Sequence, residues 1–171
     1  MRQIVVASLT VLTCAACASQ ATPEALPLSA EQVKAIAEEV ETVARASEAS
    51  WKSVTCEDLS PALQYWDGSP PGLVHSHEEV MRTFSDTEWA AQIKGNVCSS
   101  GGSGESFVDS ILVSVLSNDV ATATMSYHAI LKDTQGKATN REGQILRVFR
   151  RTPGGWKIRV SMSTHSDLQK K

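Results

Sequence analysis

From residue 29 onward the apolar positions recur first every three or four residues and later every second residue, and that change of period divides the chain. Val33, Ile36, Val40 and Val43 form a stripe that Ser47 and Trp51 extend, the spacing of a helix with one buried side. Ser29 and Gln32 make a capping box at its start, with Leu28 and Val33 as the hydrophobic staple. Ala44 shares the contact at Ser47, while Glu38, Glu39, Glu41 and Glu48 fall mostly on a solvated side. Pro61 opens a short helix after Ser60, Asp67–Gly72 is a loop, and Leu73, Val74 and His75 are extended. Ser76 with Glu79 reads as a second capping box, so a helix is expected behind it with Val80, Met81 and Phe84 buried. Trp89, Ala90 and Ile93 continue that helix or form a further turn, and Ser99–Gly104 is a flexible loop too irregular to hold phosphate.

The second half alternates. Phe107–Leu116, Val120–Leu131, Gln144–Arg150 and Trp156–Met162 are strands, separated by turns at Asn118-Asp119, Gly136 and Pro153-Gly154-Gly155. Short turns between such strands demand antiparallel neighbours, so the expectation is an α+β domain whose helices cover one face of a curved antiparallel sheet. In the second strand Ala121, Ala123, Met125, Tyr127, Ala129 and Leu131 share the more apolar face, which is expected to turn inward. Met125 and Tyr127 there suit the walls of a pocket and equally a closed core. In the last strand Trp156, Ile158, Val160 and Met162 share a face. Strict alternation puts His165 on the opposite side with Lys157, and a bulge before it reverses this.

Composition narrows the function classes. Sixteen basic residues are dispersed against nineteen acidic ones, for a formal charge of −3, which removes the long-range attraction on which nucleic-acid binders rely. Ahead of the first helix, Arg2 precedes the apolar run Ile4–Leu12 and then Cys14-Ala15-Ala16-Cys17. This run is shorter than the roughly 20 residues of a membrane-spanning helix and has the build of an export signal. It resembles a bacterial lipoprotein signal, which implies cleavage before a lipidated Cys17, with Cys14 as the rival position. Ala18 stands where inner-membrane retention signals usually carry aspartate, so the resemblance implies the periplasmic face of the outer membrane. The expected organisation is a signal over 1–16, a tether over 17–28, a domain over 29–166 and a tail over 167–171. Export also makes a Cys56–Cys98 disulfide plausible chemistry, beside the alternative of two free thiols. His75 and His77 have no third ligand nearby, and neither a metal nor any other cofactor is expected.

The run Gly154-Gly155-Trp156-Lys157-Ile158 leading to His165-Ser166 resembles the terminal strand of the nuclear-transport-factor-2-like (NTF2-like) superfamily, which includes ketosteroid-isomerase-like and SnoaL-like proteins. Asp119-Val120-Ala121 and the Gly72, Glu78-Glu79-Val80, Phe84 segment support the resemblance. It implies a cone-shaped fold whose helices and sheet enclose a pocket, and pairing of subunits through the exposed sheet face. Tyr65, Trp66, Trp89, Met125, Tyr127 and Met162 are the expected pocket residues, with Tyr65, Trp66 and Asp67 at the broad end. Asp67 or Asp109 would serve as a proton-abstracting base if apolar surroundings raised its pKa. His165 matches the superfamily's terminal histidine. The competing readings are a turn-forming Asp67, an edge-strand Asp109 and a His165 that fixes the strand end. His128 has no sequence-local carboxylate partner, and Arg141, Glu142, Arg147 and Arg159 suit a polar ladder across the outer face or pocket mouth.

Three functions fit. The first is an anchored module that binds a small apolar or amphipathic molecule without catalysis. The second is an isomerase- or dehydratase-like enzyme, and the third is a structural or interaction module acting as a homodimer.

Overall fold

The sheet is built from two unlike parts, a short hairpin and a long four-stranded meander. A computed structural model describes residues 27–77, 80–99, 103–132 and 135–168. The signal-like run, Cys14, Cys17 and the tether up to residue 26 lie outside the described residues. In chain order the elements are α1 (Ala30–Ser50), a 3₁₀ turn (Trp51–Ser53), α2 (Ser60–Leu63), β1 (Leu73–His77), β2 (Val80–Phe84), α3 (Asp86–Ser99), β3 (Ser103–Val115), β4 (Val120–Lys132), β5 (Ala138–Thr152) and β6 (Gly155–Leu168). The six strands lie in the order β2-β1-β6-β5-β4-β3.

The first helix forms where its pattern places it. Ser29 Oγ accepts from the Gln32 N–H at 3.2 Å and Gln32 Oε1 from the Ser29 N–H at 2.9 Å, which closes the capping box. Ile36, Val40, Ala44 and Ser47 are its buried residues. The inward face of β4 is as expected, with Ala121, Ala123 and Met125 fully buried and Tyr127 half-buried. Phe149, Leu73, Ile93, Met125, Ile158 and Val40 are the largest side chains sealed from solvent, so the core lies between α1, α3 and one side of the sheet.

Two expectations are corrected. The segment behind Ser76 is a hairpin, not a helix: β1 pairs antiparallel with β2, and Val80 and Met81 are exposed at 56% and 66%. Val80, Arg82 and Phe84 also satisfy period two, and β1 supplies the backbone partners that settle the segment as a strand. Trp89 and Ile93 belong instead to the separate α3, capped by Ser85, whose N–H and hydroxyl each donate to Glu88 Oε2 at 2.8 Å. The sheet is also mixed, because β1 runs parallel to β6. Turn lengths reveal antiparallel neighbours within the meander but say nothing of strands joined by distant chain.

Two register shifts redirect the long strands. One lies between Val108 and Ser110 of β3, so Asp109 is the extra residue. The other leaves Val148 opposite Val160 and Phe149 opposite Ile158, so Arg159 is extra in β6. Beyond Arg159 the alternation reverses: Ser161 is buried while Met162 is 41% exposed. Met162 therefore leaves the pocket side and lies on the outer face.

Candidate functional site

Three packing events assemble an aromatic cavity on the inner side of the sheet. The chain after α2 bridges to β6, with the Ile158 N–H donating to Tyr65 O at 2.7 Å and the Asp67 N–H to Ile158 O at 3.1 Å, which seats Trp66 against the core. Beside it, β1 presents His75. From above, α3 lowers Trp89. The Trp66 and Trp89 rings are 4.7 Å apart, His75 lies 4.7 Å from Trp89 and 6.4 Å from Trp66, and Phe84 lies 5.3 Å from Trp89. Trp51, Ile93, Tyr127 and Ile145 complete the apolar wall of a cavity of about 330 Å³, a volume suited to a small organic molecule.

Charge enters this wall at one point. Arg147 stands between Ile145 and Phe149 on the inward side of β5 and is only 4% exposed. It forms an ion pair with Glu48, donates to Ser47 Oγ at 2.7 Å, and holds its guanidinium 5.5 Å from the Trp66 ring. The one residue that breaks the apolar stripe of α1 is thus the hydroxyl that receives the buried arginine. Arg147 Nε, Trp89 Nε1 and His75 Nδ1 are buried and have no hydrogen-bond partner among the described residues. Burial, then the charges of His77 and Arg147, push the His75 pKa down to about 4, so its imidazole is neutral at neutral pH. A neutral imidazole, a guanidinium and an indole N–H facing one cavity can accept a proton and stabilise an adjacent anion.

The residues singled out from the sequence scatter around this centre. Trp66, Trp89 and Tyr127 line the cavity, Met125 lies sealed in the core, and Tyr65 packs on the core's edge. Tyr127 is held close to β5, where a Cβ on Gly143 would stand 2.7 Å from its hydroxyl oxygen. Asp67 clamps a loop: it pairs with Arg159 at 3.1 Å and accepts the Ser69 N–H at 3.0 Å, while Arg159 also donates to the Asp67 and Ser69 carbonyls. Burial raises its pKa, but the Ser69 hydrogen bonds and Arg159 outweigh that and leave it below its ordinary value. The raised pKa that a base at Asp67 requires is therefore not found.

Asp109 sits at the β3 bulge, with its carboxylate 2.7 Å from His128 Nδ1 and both side chains nearly half exposed, away from the cavity. Inside, His165 stacks on His77 at 4.9 Å because the Arg159 bulge has reversed its side. No polar ladder forms from Arg147 and Arg159, since each turns to a partner contributed from outside the meander. The sequence reading missed His75 and Arg147 as members of one site. The available signal was a charged residue in the inward alternation Ile145, Arg147, Phe149.

A disulfide joins Cys56 to Cys98 with Cα atoms 5.3 Å apart, so the chain after the 3₁₀ turn is tied to the end of α3. Among the described residues no group of three or more ligating side chains could hold a metal, and no helix is long and apolar enough to cross a membrane.

No family model and no curated protein sequence matches the chain. Solved structures do match its fold. A hexachlorocyclohexane dehydrochlorinase of type 2 is similar with a TM-score of 0.63 and 10% identity over 84% of this chain and 95% of that one. A ketosteroid isomerase-like protein from Erwinia carotovora gives a TM-score of 0.58 and 13% identity over 78% and 97%. An NTF2-like protein of unknown function from Shewanella oneidensis gives 0.56 and 19% over 74% and 97%.

Proposed function

We propose that this chain, which has the NTF2-like fold, is an enzyme of the isomerase or dehydratase kind that moves a proton within its aromatic cavity. The observation that carries the reading is His75, a half-buried neutral imidazole whose buried Nδ1 has no hydrogen-bond partner among the described residues, beside a buried guanidinium. His75 accepts a proton from a carbon next to an electron-withdrawing group of a small apolar or amphipathic substrate. Arg147 and the Trp89 N–H stabilise the negative charge that develops. Return of the proton to another carbon completes an isomerisation. Its delivery to a departing hydroxyl on the neighbouring carbon, as the electron pair forms the double bond, completes a dehydration. A base with a pKa near 4 suffices where the anion it generates is well stabilised. Similar folds that carry the names dehydrochlorinase and ketosteroid isomerase-like protein support proton abstraction as the chemistry. The reading takes the sheet as the curved wall of a cone, for which the two register shifts are support.

The test is hydrogen–deuterium exchange at carbon, followed by NMR for a panel of cyclic ketones and β-hydroxy carbonyl compounds. His75→Gln is expected to slow exchange by at least about a hundredfold, while Asp67→Asn and Asp109→Asn leave it near wild type. Unchanged exchange in the folded His75→Gln protein would refute the role. Binding without turnover is the second reading, favoured by the lack, among the described residues, of a carboxylate paired with His75.

The proposal includes export to the periplasmic face of the outer membrane through a lipidated Cys17. The apolar run before Ala15-Ala16-Cys17 and the Cys56–Cys98 bridge support it. It also retains a homodimer through the outer sheet face, where Leu112, Thr124, Leu146 and Met162 stand in register as one row.

A further inference from the structure

Beside the aromatic cavity lies a second space of about 560 Å³, bounded by His75, His77, Arg82, Phe84, Trp89 and Asn96, among others. The two meet at His75, Trp89, Asn96 and Ser163. Their chemistry differs. Among the described residues that line the deep cavity, the one acid, Glu48, and the one arginine, Arg147, form an ion pair with each other. The outer space contains Arg82 and His77, and among the described residues no carboxylate lines it. Arg82 has no ion-pair or hydrogen-bond partner among the described residues. It alternates along β2 with Val80 and Phe84, which line the same space. His77 is set by its Nδ1, 2.9 Å from Ser163 Oγ, and by its stack on His165. A guanidinium unpaired among the described residues, a fixed imidazole and a bordering amide around a solvent-reached space recognise an anion, and the planar fork of arginine matches a carboxylate.

We infer that the ligand is an amphipathic carboxylate, with its ring or chain in the aromatic cavity and its head in the outer space on Arg82 and His77. This deepens the enzymatic reading and rests on it only in taking the aromatic cavity as the seat of the ligand's body. The head group then places the carbon beyond it at the boundary, where His75 stands. Arg82 and His77 would decide which molecules enter, and Arg147 would serve the chemistry deeper in.

The experiment compares naphthylacetate with its neutral isostere naphthylacetamide on the full oxidised protein. Binding is read by quenching of the emission from Trp51, Trp66 and Trp89 and by calorimetry. The carboxylate is expected to bind at least about tenfold more tightly than the amide, with the ratio shrinking as salt is raised. Arg82→Gln, on an exposed strand position, is expected to bring the ratio within about threefold and leave amide affinity unchanged. His75→Phe is expected to keep the carboxylate preference even where proton exchange is lost, which separates this inference from the catalytic one. Equal binding of the two probes by wild type would overturn it. So would an equal loss of both in Arg82→Gln, or binding of neither at about 1 mM. Should Arg82→Gln not fold, the salt series on wild type decides, and a ratio insensitive to salt counts against the carboxylate head.

Discussion

Glu48→Ala removes the carboxylate that faces Arg147, and its cost can be worked from the contacts. The arginine side chain is 5% exposed and the glutamate 13%, so the variant leaves a guanidinium charge that water cannot easily reach. Removing one partner of such a pair typically costs about 3–5 kcal/mol. Three features reduce the figure. Ser47 Oγ still accepts from Arg147 at 2.7 Å, the Trp66 ring remains 5.5 Å from the guanidinium, and alanine has a helix propensity better by about 0.3 kcal/mol. The expected loss is therefore about 3 kcal/mol, at the lower end of the range. Urea unfolding of the oxidised protein, followed by circular dichroism, measures it, with an unchanged m-value as the check that the unfolded state is the same. The double variant Glu48→Leu/Arg147→Met removes both charges and should return to within about 1 kcal/mol of wild type. A loss below about 1 kcal/mol in Glu48→Ala, at constant m, would refute the reasoning and show that Arg147 does not depend on Glu48 for its burial.

Trp156 is 5% exposed, donates to Glu39 Oε2 at 2.9 Å and lies 4.6 Å under the Arg151 guanidinium, so Trp156→Ala should cost about 3–5 kcal/mol in the same assay. Asp67 has a lowered folded-state pKa. Its contribution is therefore complete above the ordinary carboxylate value of about 4 and is lost as pH falls through the lowered one. The stability gap between wild type and Asp67→Asn should accordingly be constant near neutrality and close in acid, and a gap that widens in acid would reverse the assignment. Intact-mass analysis of membrane extracts should find the chain beginning at a lipidated Cys17, against which an unmodified soluble chain starting near residue 19 would count. Sedimentation of residues 27–171 should show a dimer, and a monomer persisting at high micromolar concentration would exclude it.

What could be read from the chain and what could not follows the range of the interactions involved. The α1 stripe, its capping box and the inward face of β4 are local, since each depends on residues within a few positions and on a period that side-chain geometry imposes. The segment from Ser76 to Phe84 sits at the limit of such reading. Its capping pattern and its alternation are both present, and only the pairing available from β1 decides for a strand. The Arg159 bulge leaves no mark in composition, yet it turns Met162 outward and His165 inward, because one extra residue exchanges the two faces of everything after it.

By itself the sequence determined α1, the four-stranded meander, the α+β class and the apolar face of β4, since burying one face of each element suffices to select them. Only the tertiary structure decided the site. Ser47 and Arg147 are 100 positions apart, His75 of β1 meets Trp89 of α3 and Trp66 of the chain after α2, and Asp67 finds in Arg159 a partner 92 positions away. A buried charge and a lowered histidine pKa are set by what surrounds a group in space, and neighbours along the chain carry no record of that.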